Sequence, residues 1–72
     1  MAAPFMIALR GYDMGQVDAA LQQADDALAS GSETLRAAAR SALEGVEFRE
    51  RFRGYARHEV NQTVEERLQQ LA

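Results

Sequence analysis

With 72 residues the chain has room for one small domain, and a chain of this length buries only about 60% of the surface that its unfolded form exposes. It has no cysteine and a single histidine, which excludes a disulfide framework and a histidine–cysteine metal site as supports for so small a core. Self-association is the remaining support, so we expect a homo-oligomer. The net charge of −3 weighs against a nucleic-acid partner.

No apolar run approaches the roughly 18 to 20 residues that a membrane span requires. The stretch from Met1 to Ile7 carries neither the basic region nor the long apolar region of a secretory signal. We therefore expect a cytoplasmic protein.

The chain begins with a short segment whose apolar side chains alternate. Phe5, Ile7 and Leu9 fit a period of two, so this segment is predicted to be extended. It runs through Arg10 into Gly11, which is predicted to turn the chain sharply through backbone angles that are costly for other residues. The turn leads directly into a helix.

The first helix is predicted to begin after Asp13, an N-cap type of residue that has Gln16 three positions later, as in a capping box. Its apolar residues recur at intervals of three and four, which is the spacing of a coiled-coil seam; they are Met14, Val17, Leu21, Ala24 and Leu28. The residues between them are polar, so the helix needs one partner. Ser30-Gly31-Ser32 is predicted to end it.

A second helix is predicted to open with Ser30 and Glu33 as a capping box and to stop at Gly45 in a left-handed conformation. Its apolar face is mostly alanine; the residues are Leu35, Ala38, Ala39, Ala42 and Leu43. Small side chains bury little area each, so this helix is interpreted as a connector that packs on something else.

The second half of the chain repeats the order of the first. Phe48, Glu50 and Phe52 fit a period of two, although Phe48 and Phe52 also fit one face of a helix. The extended alternative is preferred because the segment again runs into a glycine, Gly54. A third amphipathic helix is predicted from Glu59 to Ala72, with the apolar residues Val60, Val64, Leu68 and Leu71.

The two halves are copies of one unit. Phe5 to Asp18 reappears as Phe48 to Asn61 with one constant offset and no gap, and both copies contain Arg-Gly-Tyr. We therefore predict a single domain over residues 1–72, made of a first unit at 5–28, a connector helix at 30–45 and a second unit at 48–71. The predicted fold class is all-α, with about three helices, short extended or turn segments before each Arg-Gly-Tyr, and self-association.

The copies differ in charge. Acidic residues dominate the first half, whereas arginines crowd the second copy at Arg49, Arg51, Arg53 and Arg57. Opposite charges would let one copy dock on the other, within a chain or between chains, or direct the basic copy to an anionic surface. A solvated basic face beside Glu47 and Glu50 is the structural alternative.

The pattern of Phe, Arg-Gly-Tyr-Asp and Val-Asp before an apolar helix in the first copy resembles the N-terminal domain of the DivIVA family of bacterial polar scaffold and cell-division proteins. It resembles even more the short actinobacterial proteins that carry this domain twice. The resemblance covers residues 5–28 and 48–71, most of the chain.

The resemblance implies a noncatalytic, dimerising module in which a short coiled coil lies beneath crossed loops. It also implies that a Phe-Arg pair at each loop tip touches the inner face of the plasma membrane. By position this pair is Phe52-Arg53 in the second copy and Leu9-Arg10 in the first. The turn motif comprises Gly11, Tyr12, Asp13, Gly54 and Tyr55, and the dimerisation seam comprises Met14, Val17, Leu21, Leu28, Val60, Val64, Leu68 and Leu71.

Two departures from the pattern of the DivIVA family bear on function. The second copy has Ala56 in place of the capping Asp and Asn61 in place of the helical Asp, and the first change weakens capping by about 1 kcal/mol. The long coiled coil that follows this domain in the scaffold proteins is missing, which favours an adaptor over a full scaffold.

Catalysis has little support, because the sequence offers no activated nucleophile, no acid–base pair and no phosphate-binding glycine loop. His58 has no ligands at metal-site spacing, so no metal and no cofactor are expected. Tyr12 and Tyr55 are interpreted as structural. Met6, Ile7, Leu9 and Phe52 fit either the core or a contact with a membrane or partner.

The leading prediction is a noncatalytic adaptor that dimerises through its DivIVA-like units and docks on a cell-division or polar-growth scaffold, with a peripheral contact at the inner membrane as one form. The alternative is an accessory subunit buried in a larger cytoplasmic enzyme or protein complex, with no membrane contact. Binding of DNA through Arg49 to Arg57 is the least favoured because the chain is acidic overall.

Overall fold

The computed structural model describes residues 5–72, which form three helices and four strands of two residues each. In chain order these elements are β1 (Ile7–Ala8), β2 (Gly11–Tyr12), α1 (Met14–Ser30), α2 (Glu33–Gly45), β3 (Glu50–Arg51), β4 (Gly54–Tyr55) and α3 (Arg57–Leu71). The prediction of an all-α fold is wrong, because the four strands pair into one antiparallel sheet. Local periodicity indicated extended segments, whereas their pairing joins residues far apart in sequence.

The sheet interleaves the two units. Its strand order is β1-β4-β2-β3, so β4 lies between the two strands of the first unit and β2 between the two strands of the second. Tyr12 is opposite Tyr55 at the centre. On one side Ile7 is opposite Tyr55, and on the other Tyr12 is opposite Glu50. These pairs occupy equivalent positions in the two copies, so an approximate twofold axis relates the units.

The glycines of the turn motif act differently from the prediction. Among the described residues only Gly31, after α1, has a positive φ, of 70°. Gly11 and Gly54 have no left-handed backbone; each instead lies against the backbone of the other, where a side chain would collide. Close approach of two strands, rather than a turn, is what these positions require.

The helix ends agree with the sequence in part. The Asp13 Oδ1 atom accepts a hydrogen bond from the Gln16 N–H at 2.9 Å, as the capping pattern predicts. The cap of α2 is Ser32, whose hydroxyl accepts from the Leu35 N–H at 3.2 Å, so the assignment to Ser30 was wrong. The helix α2 ends at Gly45 as predicted, but Gly45 is not left-handed, so only the predicted conformation was wrong.

The interface between α1 and α3 is buried inside this single chain. Val17 and Val60, at equivalent positions of the two units, are both 0% exposed and form a core cluster with Phe5 and Tyr55. A second cluster packs α2 against the ends of α1 and α3; it comprises Ala24, Ala27, Ala39, Leu43 and Leu71. The connector helix therefore covers one side of the α1–α3 pair.

No helix within residues 5–72 combines the length and the apolar character needed to cross a membrane.

Candidate functional site

The tyrosines of the turn motif join the two units. The rings of Phe5 and Tyr55 have centroids 5.1 Å apart, and so do those of Phe48 and Tyr12. The Tyr55 hydroxyl donates to Asp18 Oδ1 at 2.8 Å, whereas the Tyr12 hydroxyl donates to Asn61 Oδ1 at 3.0 Å. In both cases an aromatic residue of one unit holds the helix and the leading phenylalanine of the other.

Backbone hydrogen bonds repeat the same exchange. The Asp13 N–H donates to the Arg49 carbonyl, and the Ala56 N–H donates to the Met6 carbonyl, both at 2.8 Å. The side chain of Gln16 accepts from the Arg49 N–H at 2.7 Å. At the equivalent place Glu59 accepts from the Met6 N–H at 2.8 Å.

The sequence placed Gln16 in a capping box of its own helix, yet its side-chain oxygen accepts from the N–H of Arg49, which precedes β3 in the other unit. Glu59 has the same role and was not recognised as a pairing residue. The repeat itself carried the signal, because both residues occupy one position of the duplicated pattern.

One ion pair breaks the symmetry. Arg51 Nε lies 2.7 Å from Asp13 Oδ2, whereas the residues at the equivalent positions are Ala8 and Ala56. The pKa of Asp13 is lowered from its ordinary value of 3.8, first by the hydrogen bond from the Gln16 backbone and then by Arg51. The second loop is thus tied to the first unit by a contact that the first loop lacks.

The predicted contact residues lie at the bends of the two loops. Leu9-Arg10 connects β1 to β2, and Phe52-Arg53 connects β3 to β4. Leu9 is 70% exposed and Phe52 78% exposed. Met6 and Ile7 are exposed as well, so of the two alternatives for these four apolar side chains, the core is excluded in this structure. We call the surface formed by Leu9, Arg10, Phe52 and Arg53 the loop end.

Positive charge at the loop end is only partly neutralised. Arg51 pairs with Asp13, and Arg57 Nη1 lies 2.9 Å from Glu50 Oε1. Within residues 5–72, Arg10, Arg49 and Arg53 have no ion-pair partner. An exposed aromatic ring beside unpaired guanidinium groups is suited to binding an anionic surface that also has apolar groups.

No protein-family model, curated protein or solved structure matches this chain.

The seam residues are divided between the two core clusters. Val17, Val60 and Leu71 are buried; Leu21, Leu28, Val64 and Leu68 are half-buried against them; and Met14 is 39% exposed. At the position where Ala24 of α1 is buried, α3 has Arg67, whose Nε reaches Asp25 Oδ1 at 2.8 Å. The seam is thus a contact between α1 and α3 of one chain, covered on one side by α2.

The loop end combines exposed apolar side chains with positive charge. Residues 5–72 contain no cluster of three or more side chains that could hold a metal ion. At the loop end the exposed apolar side chains of Leu9 and Phe52 lie beside Arg10 and Arg53, which have no ion-pair partners within residues 5–72. This surface is the candidate functional site.

Proposed function

We propose that the chain is a noncatalytic adaptor, built from two DivIVA-like units, that docks on a bacterial cell-division or polar-growth scaffold. One observation supports this proposal above the others: the two units interleave their loops around Gly11 and Gly54 and leave the Phe-Arg and Leu-Arg bends exposed. Crossed loops with exposed tips are the arrangement that the resemblance implies.

Pairing takes place within one chain. The seam that would join two single-unit chains is filled by α1 and α3 of the same molecule, with α2 packed against both. Homo-oligomerisation, which we retain as part of the proposal, would therefore use the loop end or an exchange of units between chains. Light scattering distinguishes a monomer from an oligomer, because the chain alone has a mass of 8.0 kDa.

Contact with the inner membrane surface is the second part of the proposal. An exposed Phe can enter the headgroup boundary while Arg53 meets lipid phosphate. One such contact is weak, so useful affinity requires several copies held together by a scaffold.

The test is affinity purification of the tagged chain from its native host, with Phe52→Ala, Arg53→Ala as the site variant. A matched control is Leu35→Ala, Arg40→Ala, which removes an exposed apolar residue and an exposed arginine from α2. We expect the wild type and the control to retrieve a coiled-coil scaffold and the site variant to lose it. Retrieval of no such partner by any of the three would contradict the proposal.

Co-sedimentation with vesicles of anionic lipid tests the membrane contact separately. Binding that the site variant loses and the control retains supports it. The chain is displayed in several copies on an oligomeric carrier, because a single contact is weak. Absence of binding by the wild type in this form removes the membrane from the proposal and leaves the adaptor role.

A buried accessory subunit is the second candidate. Leu35 is 52% exposed on α2, beside a surface groove of about 470 Å³ between α1 and α2. An apolar surface there in addition to the loop end suits a chain that a larger complex covers on two sides. Co-purification of an enzyme complex, with loss of retrieval by the Leu35→Ala, Arg40→Ala variant, would favour this candidate.

A further inference from the structure

We propose that the loop end is one composite docking site for an acidic segment of a partner protein, formed by Arg10 of the first unit together with Phe52 of the second. The inference rests on the proposed adaptor function and adds the chemistry of the partner. Arg10 would bind a carboxylate of the segment, and Phe52 would pack on an apolar side chain beside that carboxylate.

The two residues meet because the loops interleave. Arg10 and Phe52 line the same shallow depression of about 290 Å³, together with Glu50 and Arg51. In sequence each unit carries its own adjacent pair, Leu9-Arg10 in the first and Phe52-Arg53 in the second. The strand order places β4 between β1 and β2, and this brings the second loop against the first. The site therefore exists only in the paired form of the two units.

Charge around the depression selects an anion. Glu50 is neutralised by Arg57 at 2.9 Å, and Arg51 by Asp13 at 2.7 Å. Arg10 has no ion-pair partner among residues 5–72, so the charge left in the depression is positive. A guanidinium group matches a carboxylate through two parallel hydrogen bonds.

Exposed apolar area supplies the second requirement. Phe52 is 78% exposed, and Leu9, adjacent to Arg10, is 70% exposed. Aromatic residues and arginine are enriched at the centres of protein interfaces, where they contribute most of the binding energy. A segment that carries only carboxylates would leave this apolar area in contact with water.

A single copy of the site suits a protein segment better than a lipid surface, because lipid binding needs several copies held together. Sequences that bind anionic lipid usually cluster about four to eight basic residues, whereas the loop end has two arginines, Arg10 and Arg53. The chain carries a net charge of −3, and Glu47 follows α2 close in sequence to the second loop. A negatively charged membrane surface would be repelled by the acidic groups of the chain, such as Glu47. A short segment avoids this repulsion, because it can place its carboxylate on Arg10 alone.

The experiment uses the full chain and an array of short peptides in which one or two carboxylates and one apolar residue vary in spacing. The tightest peptide is then measured by fluorescence anisotropy, beside a peptide with Gln and Asn in place of Glu and Asp. The variants are Arg10→Gln, Phe52→Ser and their combination. The controls are Arg40→Gln and Leu35→Ser, which make the same changes on α2. Circular dichroism verifies that every variant is folded.

We expect each site variant to weaken binding by about tenfold, as truncation of an interface centre does. The double variant should lose less than the product of the two single losses, because both side chains contact one segment. The controls should bind like the wild type. Binding to no peptide, equal binding of the amide peptide, or binding only to vesicles of phosphatidylglycerol and phosphatidylethanolamine would overturn the inference.

Retrieval from the native host distinguishes the two proposals. A scaffold partner whose retrieval survives both Arg10→Gln and Phe52→Ser overturns the composite site and leaves the adaptor function standing. Failure of the wild type to retrieve any scaffold overturns the adaptor function itself.

Discussion

Gly11 and Gly54 lie back to back at the crossing of the two loops. A Cβ atom on Gly11 would lie 2.5 Å from the carbonyl carbon of Gly54, and one on Gly54 would lie 2.7 Å from the carbonyl carbon of Gly11. Both obstacles are backbone atoms in a paired sheet and cannot rotate away as a side chain could. The equivalent glycines of the two copies thus make the interleaved pairing possible.

Gly54→Ala is expected to lower the free energy of unfolding by at least about 2 kcal/mol, toward the upper part of the range for overpacked cores. Gly11→Ala should have a similar effect. The control is Gly45→Ala, where a Cβ meets nothing within 4 Å and the backbone is helical. It should be neutral or stabilise by up to about 1 kcal/mol. Urea unfolding followed by circular dichroism measures all three, and equal stabilities would contradict the close approach.

Restoring a cap should stabilise the second unit. Ala56 has φ −54° and ψ 121°, nearly the angles of Asp13 at −52° and 120°, but its side chain cannot accept a hydrogen bond. Ala56→Asp is expected to raise the free energy of unfolding by about 1 kcal/mol. Ala56→Asn caps without adding charge and should give a similar gain. If thermal unfolding shows a gain for neither variant, the helix start is already satisfied by another contact.

Much of the fold could be predicted from the repeat. The helices, the cap at Asp13 and the division into two units follow from local pattern, since capping and amphipathic spacing act over a few residues. The sheet could not be predicted in this way. Each strand has two residues, and β1 pairs with β4 across nearly the whole chain. Periodicity in so short a segment cannot specify its partner.

The candidate site shows the same limit. The sequence left Phe52 and Leu9 open between the core and an exposed contact, and the structure exposes both. The charge around these two side chains could not be predicted, because it depends on which arginines form ion pairs. Arg51 forms an ion pair with Asp13, a residue of the other unit, whereas Arg53 has no ion-pair partner in residues 5–72. The sequence shows that arginines cluster, and only the interleaving shows which of them lack ion-pair partners in residues 5–72.

Acid should weaken the tie between the units at Asp13. The pKa of Asp13 is lowered in the folded state by the Gln16 N–H and by Arg51. The ionised carboxylate therefore stabilises the fold at pH values above its ordinary pKa of 3.8. This stabilisation is lost as the pH falls from about that value through the lower pKa of the folded state.

Asp13→Asn tests this expectation, because the amide oxygen can still cap α1 but cannot titrate. Between neutral pH and about pH 2 the wild type should lose more stability than the variant, as other carboxylates titrate in both proteins. Parallel stability curves, measured by urea unfolding at each pH, would show that Asp13 makes no pH-dependent contribution.

Tyr12 and Tyr55 should contribute unequally to the free energy of unfolding although they occupy equivalent positions. Tyr55 is 4% exposed and donates to the carboxylate of Asp18, whereas Tyr12 is half-buried and donates to the amide of Asn61. Hydrogen bonds to charged groups contribute about 1.5 to 3 kcal/mol and neutral ones about 0.5 to 1.5 kcal/mol. Tyr55→Phe is therefore expected to cost more stability than Tyr12→Phe in urea unfolding.

Alkali provides an independent measure of the same contact. The hydrogen bond to Asp18 raises the pKa of Tyr55 above its ordinary value of 10.0, and burial of the ring adds to the shift. The neutral phenol thus stabilises the fold at pH values below the ordinary pKa of 10.0. This stabilisation is lost as the pH rises through the higher pKa of the folded state. Tyr12→Phe leaves Tyr55 as the only tyrosine, so absorbance of the phenolate follows it alone. The midpoint should lie above that of the urea-unfolded variant while circular dichroism reports a folded chain. A midpoint equal to that of the unfolded chain would mean that the Tyr55–Asp18 bond does not hold the units together in solution.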